Sequence, residues 1–184
     1  MTKLEARKKY KSLRMQLTED EVNKYSRSVC MQLNGLVSNF QVLHVFFPIK
    51  RLKEIDLGDF INHCYAERKT VCTSVSDFKS TTMKTIKITE NTDFQTNNWG
   101  IPEPVNGEKI ENSKIQAVII PLLYSDYKGN RIGYGKGFYD RFLAQCSESI
   151  TKIGVNYFPP NEEITDVLAH DIRIDQLIIP KTGL

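Results

Sequence analysis

The sequence lacks several features that would assign it at once to a class of protein. No apolar run approaches the roughly 20 residues of a membrane-spanning helix, and Met1 is not followed by the apolar core of a signal peptide. The four cysteines form no CxxC pair and have no neighbouring histidines at zinc-binding spacing. With 25 basic and 22 acidic residues, the net charge of +3 is too small to indicate bulk attraction to nucleic acid or a membrane. We therefore expect a reduced, cytoplasmic protein that binds neither.

The sequence also lacks internal repeats, low-complexity tracts and interdomain linkers, and it has no nucleophile-elbow or Cys–His signature of covalent catalysis. At 184 residues it is long enough for one well-buried domain and too short to suggest two. We expect residues 1–184 to form a single domain, and we expect that domain to be monomeric.

What the sequence does contain is an alternation of helical and strand patterns. Residues 3–15 predict a basic helix, and Thr18 with Glu21 predicts a capping box at the start of a second helix. A third helical pattern covers residues 57–68, and residues 91–113 are rich in turn-forming residues. Strand patterns cover residues 41–48, 70–75, 83–89, 115–121, 151–157 and 174–180. This alternation predicts an α/β domain with a mostly parallel sheet, in which the doubly apolar run 115–121 is central.

The stretch "GNRIGYGKGFYD", residues 129–140, is the strongest local indication of a ligand site. It follows the predicted central strand and precedes a helix predicted to begin near Gly137, and open α/β sheets bind ligands at such places. Glycines let backbone N–H groups approach phosphate oxygens, Arg131 and Lys136 add positive charge, and Asp140 offers an oxygen ligand suited to Mg²⁺. The spacing matches neither Walker A nor GxGxxG. The alternative interpretation is a flexible hairpin loop with solvated charges.

The wider pattern resembles the 5-formyltetrahydrofolate cyclo-ligase family, also called methenyltetrahydrofolate synthetases. The resemblance rests on "GNRIGYGKGFYDRFL" after "PLLYSDYK", together with "WGIPEP", the early "KLEAR" and the late "HDIRID". These segments occur in the family's order and span nearly the whole chain. The resemblance implies a three-layer α/β/α sandwich with a mostly parallel central sheet.

The resemblance also implies an activity, with ATP as co-substrate and Mg²⁺ as cofactor. The family converts 5-formyltetrahydrofolate, with or without a polyglutamate tail, to 5,10-methenyltetrahydrofolate and releases ADP and phosphate. The formyl oxygen takes the γ-phosphoryl group of ATP, the other folate nitrogen attacks the activated carbon, and phosphate leaves. Phosphoryl transfer depends mainly on positioning and charge neutralisation, so Lys136 and Arg131 are the expected catalytic residues.

Further site residues follow from the resemblance, position by position. It implies ATP contacts at Lys3, Arg7, Arg131, Gly133, Tyr134, Gly135, Lys136, Gly137, Phe138 and Tyr139. It implies substrate contacts at Phe47, Glu54, Trp99, Tyr134, Gly135, Lys136, Gly137 and Phe138. Asp140 and Asp175 match magnesium ligands. Tyr134 stands where some members of the family carry Arg.

The residues alone leave other interpretations open. Lys3 and Arg7 lie four apart and so share a helix face, which suits either a polyphosphate or a solvated basic helix. Phe47 and Trp99 also suit core packing, and Asp175 suits a surface acid before a strand. For the whole protein, one alternative is an α/β nucleotide-binding protein of kinase-like or regulatory function. Another is a basic adaptor that holds RNA or an acidic partner, with binding that collapses in salt.

Overall fold

The computed structural model describes residues 1–181, so the last three positions of the predicted domain lie outside the described residues. The helices are α1 (Lys3–Gln16), α2 (Glu19–Leu36), α3 (Gly58–Ala66) and α4 (Phe138–Leu143). The first five strands are β1 (Val42–His44), β2 (Thr70–Asp77), β3 (Thr82–Ile88), β4 (Phe94–Thr96) and β5 (Pro102–Pro104). The remaining strands are β6 (Ala117–Pro121), β7 (Tyr124–Ser125), β8 (Arg131–Ile132), β9 (Thr151–Val155) and β10 (Gln176–Ile178). Short 3-10 turns cover Lys50–Leu52 and Asn112–Lys114.

Six strands form one sheet in the order β10-β9-β6-β1-β2-β3. All neighbours are parallel except β2 and β3, which pair antiparallel. Strand β6 lies inside the sheet between β9 and β1, and its first four residues are buried, as its apolar sequence predicts. The mostly parallel sheet and the central position of this strand are therefore confirmed.

Helices cover both faces of the sheet. On one face, Val29 and Leu33 of α2 and Phe60 of α3 belong to the same buried cluster as Ile119 of β6. On the other face, Phe142 of α4 is buried with the two neighbours of that isoleucine in β6, because successive strand residues point to opposite sides. The predicted three-layer α/β/α arrangement is confirmed.

Helix α1 packs on the hairpin β7–β8. Ala6 and Tyr10 are buried with Tyr124 and Ile132, and the rings of Tyr10 and Tyr124 stack with centroids 4.2 Å apart. A capping box at Thr2 starts α1, and the predicted box at Thr18 starts α2. The basic helix is thereby held beside the segment that follows β8.

The turn-rich stretch 91–113 contains a feature that the sequence did not predict. Strands β4 and β5 pair antiparallel, and the turn between them carries Trp99. The carboxylate of Glu103 accepts a hydrogen bond of 2.7 Å from the backbone N–H of Ser76, which ties the ribbon to β2. The fold thus places Trp99 in the turn of a two-stranded ribbon that is hydrogen-bonded to β2.

All four cysteines are free thiols, and three of them, Cys30, Cys64 and Cys72, are buried. Burial raises the pKa of the Cys30 and Cys64 thiols to about 11, so both are uncharged core residues. Within residues 1–181, no helix combines the length and the apolar character needed to cross a membrane.

Candidate active site

The stretch 129–140 is part hairpin and part loop. Arg131 lies in β8, where it pairs with Ser125, and the carboxylate of Asp126 accepts hydrogen bonds of 2.9 Å from the backbone N–H groups of Lys128 and Asn130 in the turn. The loop proper covers residues 133–137. The sequence analysis predicted no strand in this stretch, whereas Arg131 and Ile132 form the short strand β8 of a hairpin.

Two glycines of this loop have conformations that other residues adopt only with strain. Gly135 has φ +86° and Gly137 has φ +68°. A Cβ atom at Gly135 would also lie 3.1 Å from Nε of Arg7, so this glycine lets the loop approach α1 closely. Gly137 is the N-cap of α4, as the sequence predicts.

Two of the cations of α1, Lys3 and Arg7, face the loop and the segment around residues 166–171. Arg7 Nε donates to the carbonyl oxygen of Gly133 at 3.2 Å. Lys3 Nζ forms an ion pair with the carboxylate of Asp171, and the backbone N–H of Lys3 donates to Asp166 at 2.7 Å. The structure therefore brings both predicted ATP contacts of α1 to the glycine loop and its neighbouring segment.

Arg131 is buried and only partly satisfied. Its Nη2 lies 2.8 Å from Oδ1 of Asp140, and the two side chains are 7% and 27% exposed. Its Nη1 is buried and has no hydrogen-bond partner in the described part of the chain. Burial lowers the pKa of Arg131, and the charge of Asp140 opposes that shift. An unpaired donor on a buried guanidinium suits an anionic oxygen of a ligand such as a phosphate.

The two predicted magnesium ligands have different protein partners. Oδ1 of Asp140 also accepts a 3.1 Å hydrogen bond from the backbone N–H of Ile172. Asp175 accepts one of 2.7 Å from the backbone N–H of Lys152 and lies 2.9 Å from Nζ of that lysine. Residues 1–181 contain no group of three or more His, Cys, Asp or Glu side chains that could hold a metal ion. Mg²⁺ commonly takes one or two protein carboxylates and fills its shell with phosphate oxygens and water, so the assignment of Asp140 and Asp175 stays a prediction.

Glu54 is buried and belongs to a hydrogen-bonded chain with two other side chains, of which Arg14 is buried and Tyr134 is 40% exposed. Its Oε2 accepts a 2.7 Å bond from the backbone N–H of Ile49, and its Oε1 accepts a 2.6 Å bond from the hydroxyl of Tyr134. Nη2 of Arg14, from α1, donates to the same hydroxyl. Burial raises the pKa of Glu54, whereas these hydrogen bonds and the charge of Arg14 act in the opposite direction. This chain joins the glycine loop to the segment after β1.

The sequence analysis missed Arg14, although the spacing held a signal. Lys3, Arg7 and Arg14 are separated by four and seven residues, which places all three on one face of a helix. That face is the one turned toward the glycine loop.

Aromatic side chains lie beside Lys136. Trp99 stacks on Phe78 with ring centroids 4.7 Å apart, and Phe78 contacts Phe138 edge-on at 5.1 Å. Nζ of Lys136 lies 5.9 Å from the centroid of the Trp99 ring. Because Trp99 is 48% exposed, core packing does not describe it. Phe78 was missed, since the sequence around it resembles an ordinary turn between strands.

Two other predicted residues have packing contacts in the described part of the chain. Phe47 is half-buried against the cluster that contains Ile119 of β6, and its ring centroid lies 4.4 Å from that of Phe94. Tyr139 stands edge-on to Phe142 and to His44, with centroids 6.3 and 6.5 Å apart. Core packing thus remains a sufficient account of both.

Comparisons with known proteins agree on one family. The model of the 5-formyltetrahydrofolate cyclo-ligase family matches residues 1–180. A Schizosaccharomyces pombe protein named "Probable 5-formyltetrahydrofolate cyclo-ligase" is 27% identical over 183 residues, which cover 90% of this chain and 88% of that protein. The 5-formyltetrahydrofolate cyclo-ligase of Haemophilus influenzae is 26% identical over 155 residues and covers 82% of this chain and 83% of its own.

Two solved structures share the fold. A 5,10-methenyltetrahydrofolate synthetase from Mycoplasma pneumoniae superposes with a TM-score of 0.78 at 22% identity, over 97% of this chain and 98% of that chain. The 5,10-methenyltetrahydrofolate synthetase of Aquifex aeolicus has a TM-score of 0.76 at 26% identity, over 97% and 90%. With a family match that covers almost every residue, the chain belongs to the 5-formyltetrahydrofolate cyclo-ligase family.

Proposed function

We propose that the protein cyclises 5-formyltetrahydrofolate to 5,10-methenyltetrahydrofolate in a reaction that consumes ATP, requires Mg²⁺ and releases ADP and phosphate. The observation that carries this proposal is the contact between Tyr134 and Glu54 at 2.6 Å, because it joins a cationic glycine loop to a buried carboxylate. Such a reaction needs a loop that binds phosphates next to a side chain that accepts hydrogen bonds from ring N–H groups. Membership of the family supports the same conclusion.

The chemistry explains why positive charge matters more than a nucleophile. A formamide carbon is a poor electrophile, and transfer of the γ-phosphoryl group to the formyl oxygen makes that oxygen a leaving group. The second folate nitrogen then forms the new C–N bond as the C–O bond breaks and phosphate departs. Lys136 is exposed within the loop, and Arg131 has an unpaired buried N–H, so both are proposed to stabilise charge on the transferring group. Lys3 and Arg7 would hold the remaining phosphates.

Asp140 and Asp175 are the proposed magnesium ligands. When bound, Mg²⁺ would neutralise charge on the phosphate oxygens. The fit rests on Asp140, whose side chain is 27% exposed and adjoins the guanidinium of Arg131. In that position the carboxylate of Asp140 can bind a metal ion while the guanidinium of Arg131 binds a phosphate oxygen.

Glu54 and the aromatic residues are the proposed contacts of the folate. The carboxylate of Glu54 would accept hydrogen bonds from the pterin N–H groups, and the exposed ring of Trp99 would cover the ring system. The glycine loop from Tyr134 to Phe138 would border both ligands, and Phe47 would supply an apolar edge. A polyglutamate tail on the substrate is compatible with the net charge of +3.

We further propose a monomeric, cytoplasmic protein that needs neither nucleic acid nor a membrane. The four free thiols suit a reducing compartment.

The test is a turnover assay in which protein, Mg²⁺, ATP and 5-formyltetrahydrofolate are mixed and the absorbance of the methenyl product is followed. We expect product only in the complete mixture and none when any component is omitted. ATP binding without product would favour the nucleotide-binding alternative. Salt-sensitive RNA binding that survives in Lys136→Ala would favour the adaptor.

A further inference from the structure

Arg14 is a buried cation that no ion pair explains. The residue is 3% exposed, and its Nε is buried without a hydrogen-bond partner within residues 1–181. The described residues place no carboxylate within ion-pair distance of it, while the hydroxyl of Tyr134 accepts from its Nη2. Burying a guanidinium without a paired anion costs stability, so such a position suggests a functional reason.

The contacts of Arg14 determine which way the hydrogen bonds run. A guanidinium only donates, so the hydroxyl oxygen of Tyr134 accepts from Arg14 and its O–H must point elsewhere. Oε1 of Glu54, at 2.6 Å, receives that proton as a hydrogen bond. The backbone N–H of Ile49 holds Oε2, and an ionised carboxylate still has lone pairs available for further donors.

We propose that Arg14 is a positioning residue, which acts through Tyr134 to hold Glu54 ionised and correctly oriented for the pterin N–H groups of the substrate. This inference rests on the proposed function, since it assigns Glu54 to the folate. Arg14 itself touches neither substrate nor the reacting atoms in this account. Its role differs from that of Lys3 and Arg7 on the same helix face, which are assigned to phosphates.

Electrostatics around Glu54 gives the inference a measurable consequence. Burial raises the pKa of this carboxyl group, and Arg14 acts in the opposite direction. The other titratable groups that face Glu54 are hydroxyls: Tyr134 of the glycine loop, Tyr139 of α4 and Tyr157 after β9. The charged neighbours along its own segment are Lys50, Arg51, Lys53 and Asp56. Arg14 is therefore the one cation from another element in the described structure that favours the charged form, and its removal should raise the pKa of Glu54 further.

The experiment compares Arg14→Met with Lys11→Met, which removes the same charge from an exposed position of the same helix. Isothermal titration would measure the Kd of 5-formyltetrahydrofolate and of ATP for each folded variant across a range of pH. We expect Arg14→Met to weaken folate binding by at least about tenfold at neutral pH, and ATP binding by less than about twofold. The ionised carboxylate accepts pterin N–H groups more strongly than the protonated carboxyl group does. On acidification, folate affinity should therefore begin to fall at a higher pH in Arg14→Met than in the parent.

Two further variants keep the test decisive if Arg14→Met does not fold. Arg14→Lys retains the charge and should recover part of the folate affinity, while Tyr134→Phe retains the ring and should weaken folate binding more than ATP binding. The inference is overturned if Arg14→Met or Tyr134→Phe binds folate with the affinity and pH profile of Lys11→Met. The proposed function is tested separately, on the parent protein. Failure of the parent to cyclise 5-formyltetrahydrofolate would contradict the proposed function. If the parent turns over and Arg14→Met binds folate as the parent does, only the role of Arg14 is contradicted.

Discussion

The two halves of the candidate site differ in how much of their charge is buried. On the phosphate side, Lys136 is exposed, and Asp140 and Asp171 have side chains 27% and 25% exposed. On the pterin side, Arg14 and Glu54 are 3% and 5% exposed and are joined through one hydroxyl. The first half pairs partly exposed carboxylates with the largely buried side chains of Arg131 and Lys3, and the second is a hydrogen-bonded chain whose two charged ends are buried.

This difference suits two ligands with different demands. The carboxylates of Asp140 and Asp171 reach solvent, whereas the side chains of Arg131 and Lys3 are largely buried and need an anionic partner, so a phosphate oxygen can take the place of each aspartate. The buried carboxylate of Glu54 accepts a hydrogen bond on each oxygen, from the backbone N–H of Ile49 and from the hydroxyl of Tyr134, so it is held in one orientation. We infer that the phosphate side exchanges partners during the reaction, while the pterin side stays fixed. The following variants test each half of this comparison.

Lys136→Ala should have the largest effect. If its ammonium stabilises charge in the transition state, turnover should fall on the order of 10²–10³-fold, with normal folding and nearly normal folate binding. Lys136→Arg should recover only part, because a planar fork does not replace a compact charge. Steady-state rates and thermal melts measure this, with Lys84→Ala as an exposed control outside the loop. If Lys136→Ala folds and turns over at nearly the parental rate, the loop has a structural and not a catalytic role.

Asp140→Asn should have the second largest effect on turnover. The change removes a proposed magnesium ligand and the ion-pair partner of Arg131, so turnover should fall strongly and the Mg²⁺ requirement should rise at least roughly tenfold. Magnesium titrations of the rate provide the measurement, with the exposed Asp93→Asn as control. Superimposable titration curves for Asp140→Asn and the parent would exclude Asp140 from the metal site.

Glu54→Gln tests the buried half. Replacing an ionised acceptor of buried N–H groups costs on the order of 1.5–3 kcal/mol, and this loss should appear in folate affinity far more than in ATP affinity. Isothermal titration with each ligand separately measures both. A selective loss of ATP binding would mean that the two halves are assigned the wrong way round.

The smallest expected effect is on the pH dependence of stability. The pKa of Glu54 is raised in the folded state above the ordinary 4.5, so its contribution to stability is fully present below 4.5 and is lost as pH rises through the raised value. Glu54→Gln should lack this loss, and its melting temperature should therefore fall less than the parent's between about pH 5 and about pH 8. Parallel changes of melting temperature in Glu54→Gln and the parent across that range would contradict the raised pKa of the buried Glu54 carboxyl group.

The features that the sequence predicted correctly are those determined by residues close together in the chain. The capping box at Thr18 and the central strand 115–121 follow from patterns within a few residues, and both are confirmed. The extent of the glycine loop was less predictable, because the pairing of Arg131 with Ser125 requires a hairpin whose strands have only two residues each. The shortened first strand, Val42–His44, likewise reflects the departure of the chain from the sheet before Pro48.

The missed site residues depended on distant contacts. Arg14 meets Tyr134 across 120 positions, and Phe78 meets Trp99 only because the ribbon β4–β5 lies beside β2. Spacing could have placed Arg14 on the correct helix face, but no pattern in the sequence indicates its partner. The resemblance to a family supplied Glu54 and Trp99, for which spacing alone gave no reason.

The most direct test of the central claim follows the oxygen of the formyl group. If the glycine loop directs the γ-phosphoryl group of ATP to that oxygen, substrate labelled with ¹⁸O in the formyl group should yield methenyl product and inorganic phosphate that carries the label, one labelled phosphate per product. Mass spectrometry of the released phosphate makes the measurement, with unlabelled substrate in ¹⁸O-water as the control that should leave phosphate unlabelled. Product formed with unlabelled phosphate from the labelled substrate would contradict phosphoryl activation at this site.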